Sequence, residues 1–322
     1  MDQAARAWFT RRTTSAADWP LPRVLAAKGD QRVSVVIPAR DEEATVGHIV
    51  AAISTHLMGG DVPLVDDLLV VDSDSADDTA RVARDAGARV VATTEVLVDI
   101  PTVAGKGEAM WRGLAATEGD IVVFLDADLR SFTPGYVVAL LGPMLADPQV
   151  DLVKACYDRP LVAEDGRGVM GGGRVTELVA RPLLNLHWPE LAGIAQPLAG
   201  EYAVRRELIE SLPIPCGYGV EFALLVDTYA RHGLQALAQV DLGERRHRHQ
   251  DDQRLGLMAA QIWQVALDRL DPHGSIQRPG ESMAEFTYGP EGMSVADHVV
   301  EVLVRPPLAE VRDRSARGAG AG

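Results

Sequence analysis

The tripeptide Asp126-Ala127-Asp128 closes the hydrophobic run IVVFL. Successive side chains of a strand point to opposite faces, so Asp126 and Asp128 project together while Ala127 points away. Two carboxylates crowded without a counter-charge would drive one of them to protonate, so the pair calls for a divalent cation or hydrogen-bond donors. Magnesium suits one or two carboxylates completed by phosphate oxygens. A pair of turn or helix-capping aspartates is the plainer alternative.

A second concentration of chemistry is Glu244-Arg245-Arg246-His247-Arg248-His249, an unusual basic run in an acidic chain. If it continues the preceding strand, Arg245, His247 and His249 share one face. An imidazole there would complete a metal site and the arginines would hold phosphate; a solvated basic loop explains the same residues more simply. In Gly171-Gly172-Gly173-Arg174-Val175-Thr176, free N–H groups at a helix start attract anions, the glycines permit close approach and Arg174 supplies a bidentate fork. The stretch suits an anion pocket or a flexible linker. Gly166, Gly168 and Gly171 fall in GxGxxG spacing, but no expected strand precedes them, so the dinucleotide signature fails in context.

Gly105-Lys106-Gly107 lacks the framing of a P-loop. Lys106 either reaches a nucleotide or stands exposed on a loop. Glu221 falls at a helix start, where an acid is electrostatically favoured without any catalytic role, and Glu201, after Gly200, is equally ambiguous. Trp188 and Trp263 read as core. Cys156 and Cys216, in no CxxC arrangement, read as small buried side chains and argue against a disulfide scaffold or a thiolate zinc site.

The elements that must place these groups alternate. Strands are expected over 32–38, 68–72, 89–93, 121–126 and 150–157, with helices over 46–57, 77–86, 108–117 and 135–146. Strands apolar along their whole length belong to a parallel sheet covered on both faces. Ligands of such a doubly wound α/β sheet bind beyond the carboxyl ends of its strands, where strand order reverses. The second half reads as a glycine-rich loop over 164–173, helices over 175–186, 220–231 and 255–270, and a strand over 237–242. A disordered tail is expected over 314–322.

The 322 residues allow one large or two modest domains. With 46 acidic against 31 basic side chains the net charge is −15, which repels DNA and anionic membranes, so any bound phosphate needs a local basic site. No apolar run approaches the ~20 residues of a spanning helix, and the first 20 residues lack a signal-peptide pattern. A cytoplasmic protein with no nucleic-acid or membrane partner is expected.

Taken together, VSVVIPARDEE, VVDSDSADDT, GKGEAMWRGL, FLDADL, GGRVTELVARPLLN, PLAGEYAVRR, GYGVE and RRHRHQ resemble, in order and over roughly 33–270, the glucosyl-3-phosphoglycerate synthases, a retaining glycosyltransferase family close to the mannosyl-3-phosphoglycerate synthases. The resemblance implies an α/β GT-A fold, mostly parallel and Rossmann-like, with a C-terminal helical extension. It divides the chain into an N-terminal segment (1–30), a nucleotide-sugar half (31–155), an acceptor half (156–250), the extension (251–313) and the tail. It implies transfer of glucose from UDP-glucose to the 2-hydroxyl of 3-phosphoglycerate, with Mg2+ or Mn2+, by a homodimer. On the donor side it places Pro38, Ala39, Arg40, Asp41, Glu42, Ser73, Lys106, Asp126, Ala127, Tyr218, Gly219, Val220, Glu221 and Arg245. Gly173, Arg174, Val175, Thr176 and His249 fall on the acceptor side, though some relatives have asparagine where His249 stands. Asp128 and His247 become metal ligands, and Glu221, Asp128 and Lys106 the catalytic set. Rival readings are GDP-mannose as donor, a sugar nucleotidyltransferase and a non-catalytic nucleotide-sugar sensor. The nucleotidyltransferase would need a glycine-rich signature where Pro38-Ala39-Arg40-Asp41-Glu42 stands.

Overall fold

The computed structural model describes residues 1–60, 62–158, 160–162, 168–170, 173–244, 252–273, 282–289 and 292–319. In chain order the first half comprises α1 (Gln3–Arg12), β1 (Thr13–Ser15), α2 (Leu21–Lys28), β2 (Val33–Ala39), α3 (Val46–Leu57), β3 (Asp67–Asp72), α4 (Thr79–Asp85), β4 (Arg89–Ala92), α5 (Lys106–Ala115), β5 (Ile121–Phe124), α6 (Gly135–Ala146) and β6 (Leu152–Asp158). The second comprises β7 (Pro160–Val162), β8 (Gly168–Met170), α7 (Arg181–His187), β9 (Tyr202–Arg205), α8 (Arg206–Glu210), β10 (Ile214–Pro215), α9 (Val220–His232), β11 (Leu237–Glu244), α10 (Asp252–Leu270), β12 (Ser282–Gly289), β13 (Gly292–Val299), β14 (Val304–Arg305) and α11 (Leu308–Ala319).

Eight strands form one sheet in the order β1-β11-β6-β9-β5-β2-β3-β4. The expected apolar strands are all there; burial on both faces explains the lack of alternation in β2, β3, β5 and β6, while β4 is a partly exposed edge strand. Val33, Val35, Ile37 and Val123 face the layer of α3 and α6. Val36, Val122 and Phe124 face the layer of α5 and α9. The neighbours of β2 are β3 on one side and β5 on the other, both parallel to it. The chain order therefore reverses between β2 and β5, and their carboxyl ends open on the crevice where α/β sheets bind ligands.

Several expectations change. β9 runs antiparallel to both β5 and β6, so the residues just before it, not after it, arrive beside the carboxyl end of β5. β1 extends the sheet by pairing parallel with β11, while α1 buries Trp8, whose indole N–H donates to Leu237 O at 2.9 Å. The extension expected to be helical also holds the hairpin β12–β13 and the short strand β14, which pairs antiparallel with β10. The expected disordered tail is helical through Ala319, in α11, anchored by buried Leu308. Trp263 is half exposed rather than core. No helix of the described residues is long and apolar enough to cross a membrane.

Candidate active site

β5 ends at Phe124, two residues before Asp126, yet the alternation of exposure continues past it: Asp126 and Asp128 are half-buried and Ala127 is buried. Across the crevice, the loops after β2 and β3 knit into one rim. Asp41, in the left-handed region at φ 56°, donates its N–H to Ser75 Oγ at 3.1 Å and accepts from Ala76 N at 2.7 Å. Ser75 in turn donates to Asp72 Oδ1, Glu42 N–H to Thr79 Oγ1 at 2.8 Å, and Ser73 N–H to Ala39 O at 2.9 Å. Pro38 to Glu42 and Ser73 thus lie along a single edge, with Arg40 exposed on it.

Lys106 opens α5 and settles the question that Asp126 posed. Its Nζ donates to Asp126 Oδ1 at 2.6 Å and lies 2.6 Å from Glu221 Oε1, an ion pair with a carboxylate almost wholly buried on the first turn of α9. Burial works against the lysine's charge, but Asp126 and Glu221 together raise its pKa well above the ordinary value. The flanking glycines make the approach possible. A Cβ at Gly105 would lie 2.1 Å from Cys216 O, and one at Gly107 1.9 Å from Pro215 O. The start of α5 therefore rests directly on the backbone that leads through Tyr218, Gly219 and Val220 to Glu221. Tyr218 is exposed, its N–H donating to Gln261 Oε1 at 3.0 Å, and Val220 is buried.

Beneath this trio lies a residue that the motifs did not single out. Lys154 is fully buried, donates Nζ to Ala199 O and sits 4.6 Å over the Tyr202 ring. Burial pushes its pKa down to about 8 against the pull of Glu221, Glu201 and Asp126. The signal was present in LVKACY, a lysine interrupting a buried strand. Glu201, also buried, accepts from Tyr157 OH at 3.2 Å. Gly200 backs onto Asp126 so closely that a Cβ there would lie 2.1 Å from Oδ1.

Gly173, Arg174, Val175 and Thr176 lead into a π-turn over Thr176–Ala180, closed by Arg181 N–H on Thr176 O. Pro182, lacking an N–H, loosens the α ladder at this point, and such bulges are frequent at functional sites. Arg174 is exposed, whereas Val175 and Thr176 are buried. Arg181 forks onto Glu177 at 2.8 and 2.9 Å and donates to Ala195 O at 2.8 Å, tying the turn to the chain before β9. The structure thus joins Lys106, Asp126 and Glu221 directly. Arg245, His247 and His249, together with Gly171 and Gly172, lie outside the described residues. Among the described residues no group of three or more His, Cys, Asp or Glu side chains gathers to hold a metal. The half-buried Asp128 offers a hard carboxylate oxygen of the kind that suits Mg2+ or Mn2+.

The sheet reverses at β2/β5, Asp126 and Asp128 stand at the end of β5, and Lys106 lies between Asp126 and Glu221; the chain is a glycosyltransferase, its residues 34–168 matching the family Glycosyl transferase family 2. The chain is 47% identical over 95% of its length to a glucosyl-3-phosphoglycerate synthase of Mycolicibacterium paratuberculosis, covering 93% of that protein. It superposes with a TM-score of 0.87, at 41% identity, on the crystal structure of mannosyl-3-phosphoglycerate synthase from Rubrobacter xylanophilus, covering 95% of this chain and 99% of that one. The score is 0.82, at 44% identity and 93% and 98% coverage, for glucosyl-3-phosphoglycerate synthase from Mycobacterium tuberculosis in complex with Mn2+, UDP-glucose and phosphoglyceric acid. The chain belongs to the glucosyl-3-phosphoglycerate synthase family.

Proposed function

We propose that the protein transfers glucose from UDP-glucose to the 2-hydroxyl of 3-phosphoglycerate with retention of anomeric configuration. The observation that carries this reading is the Lys106 ammonium held between Asp126 and Glu221 at the mouth of the β2/β5 crevice. It is supported by the Mycobacterium tuberculosis relative, whose crystals hold Mn2+ with both substrates. Pro38 to Glu42 and Ser73 line the uridine. Asp128 and His247 hold Mg2+ or Mn2+, which supplies Lewis-acid neutralisation of charge on the diphosphate. Lys106 and, by the family resemblance, Arg245 supply positive charge to the donor side. Tyr218 to Glu221 flank the glucose, with Glu221 orienting it. Arg174 and Thr176, backed by Gly173 and Val175, grip the acceptor's anionic groups, and the family resemblance assigns His249 to the same side. The acceptor hydroxyl attacks from the face the leaving phosphate departs, bonding to that phosphate as it goes.

We place this enzyme in the cytoplasm as a homodimer. Two free buried thiols, Cys156 and Cys216, suit a reducing compartment. Phe286, Met293, Val295 and Val299 are exposed on one face of the β12–β13 hairpin, an apolar surface suited to a second copy.

The deciding experiment incubates the purified protein with Mg2+, 3-phosphoglycerate and either UDP-glucose or GDP-mannose, and reads the product anomer by NMR. UDP-glucose should turn over faster and give the α-linked product. Equal or faster turnover of GDP-mannose would overturn the donor, a β-linked product the retention, and pyrophosphate release from UTP plus a sugar phosphate the reaction class. Asp128→Ala should abolish transfer without altering the melt; unchanged activity would remove Asp128 as a metal ligand.

A further inference from the structure

The far end of the chain reaches the catalytic trio by a route of its own. Glu108 is fully buried, two residues after Lys106 on α5. Arg305 of β14 clamps it with Nε on Oε2 at 2.6 Å and Nη2 on Oε1 at 2.9 Å. Arg112, one turn along the helix and equally buried, donates Nε to Oε1 at 2.7 Å. The Cys216 thiol completes the group at 3.6 Å from Oε2. Two guanidinium ions on one carboxylate leave an excess positive charge away from water, which would be costly unless the remaining N–H groups found acceptors. They do: Arg112 donates to the carbonyls of Val96, Leu97 and Ile100, and Arg305 to Pro101 O at 2.6 Å. Arg305 also lies 5.3 Å over the Trp111 ring.

The same short segment grips the other half of the trio. β14 pairs with β10, and Leu303 O accepts from Cys216 N at 2.8 Å, five residues before Glu221. Cys216 O in turn accepts from Glu108 N at 3.2 Å. Residues 303–305 therefore hold both the helix start that carries Lys106 and the strand that leads to Glu221. Side chains two apart on a helix stand about 200° around its axis, so Glu108 lies on the side of α5 opposite Lys106. A force applied to Glu108 fixes how α5 is rolled, and hence where the lysine ammonium sits.

Resting on the glucosyl-transfer reading above, we propose that Arg305 is a positioning residue for the reaction: its fork on Glu108, together with the β10–β14 pairing, sets the geometry of the Lys106–Glu221 pair. Arg305 itself stays buried against Trp111, and its hydrogen bonds among the described residues go to Glu108 and Pro101 O, not to the substrate-binding residues named above.

The test uses the full chain, the wild type and two variants, Arg305→Lys and Arg305→Met, with turnover per folded molecule measured against both substrates and folding checked by thermal melts. Lysine keeps the charge but loses the planar fork. Turnover should fall about tenfold in Arg305→Lys and a hundredfold or more in Arg305→Met, while KM for 3-phosphoglycerate, gripped by Arg174 on a separate element, stays within twofold. Turnover per folded molecule within twofold of wild type in both variants would overturn the proposal, as would a KM for 3-phosphoglycerate that rises in step with the loss of turnover. If Arg305→Met does not fold, the lysine variant decides by the same criteria. A wild type that transfers no glucose fails the functional reading instead, and that outcome is visible before either variant is assayed.

Discussion

Glu108 and Glu221 are the same residue in closely similar settings: both are buried in the first turn of a helix, and both face cations. They are held in opposite ways. Arg305 forks onto both oxygens of Glu108 and Arg112 adds a single N–H to Oε1, a directional arrangement that fixes the carboxylate. Glu221 has Lys106, a point charge on a flexible stem, and shares it with Asp126. A fork that saturates its acid makes a brace. An ammonium divided between two acids is a looser restraint, so the two carboxylates differ in how firmly they are fixed; on the reaction proposed above, Glu221 is the one a charged substrate would perturb.

The comparison breaks most sharply if the brace proves dispensable. Glu108→Gln leaves two buried arginines against a neutral amide, and unfolding experiments should show a loss of about 3–5 kcal/mol. The arginines hold the Glu108 pKa below its ordinary value although burial opposes them. Its stabilising contribution is therefore present at neutral pH and disappears as pH falls through that lowered value, so the wild-type advantage over the glutamine variant should shrink in acid. A variant as stable as wild type would remove the distinction.

Lys106→Met should show the converse, with turnover falling roughly 10²–10³-fold, about 2.7–4 kcal/mol in the barrier, and a smaller drop in melting temperature than Glu108→Gln gives. If the melt suffers more than the kinetics, Lys106 is a second brace and the contrast fails. Gly200→Ala sharpens the picture on the Asp126 side. Its methyl would occupy a point 2.1 Å from Asp126 Oδ1 and turn the carboxylate away from Lys106. Steady-state assays should find roughly a tenfold loss of turnover, since displacements near 1 Å reach a hundredfold; full activity would mean that Asp126 needs no fixed pose.

The smallest effect belongs to Lys154. Its folded pKa of about 8 lies below the unfolded value of 10.5, so between these limits the unfolded chain binds the extra proton and stability rises with pH. Cys156 and Cys216, pushed up to about 12 by burial, act in the opposite sense above about pH 9. Isolating the lysine requires Lys154→Met: the wild-type stability, relative to this variant, should climb by about 1 kcal/mol between pH 8 and 9. Parallel curves would show that Lys154 does not titrate there.

Much of this architecture could be read before any coordinates, for a physical reason. β2, β3 and β5 carry apolar runs because both faces are covered, α3 carries its buried residues at helical spacing, and α6 is an apolar helix buried nearly all round. β9 escaped because four residues, YAVR, carry too little pattern and its antiparallel course depends on partners up to 84 positions away, as in the Ile121–Arg205 pairing. β1 is a three-residue polar edge strand, TTS, recognisable only through its pairing with β11. At the site, Asp126 and Lys106 stood out as candidates for chemistry while Glu221 read as an ordinary helix-start acid except through the family resemblance, and the union of the three depends on the backbone contact between Gly105-Lys106-Gly107 and Pro215-Cys216. Arg305 gave no local signal at all; its meaning lies 197 residues away, at Glu108.

The indole bond from Trp8 to Leu237 spans 229 residues. At ribosomal rates of about 5–20 residues per second, Trp8 emerges some 10–45 s before the carbonyl that receives it has been made. During that interval Trp8 lacks the acceptor its indole N–H has in the fold, so the β1 edge of the sheet closes only after β11 has been made.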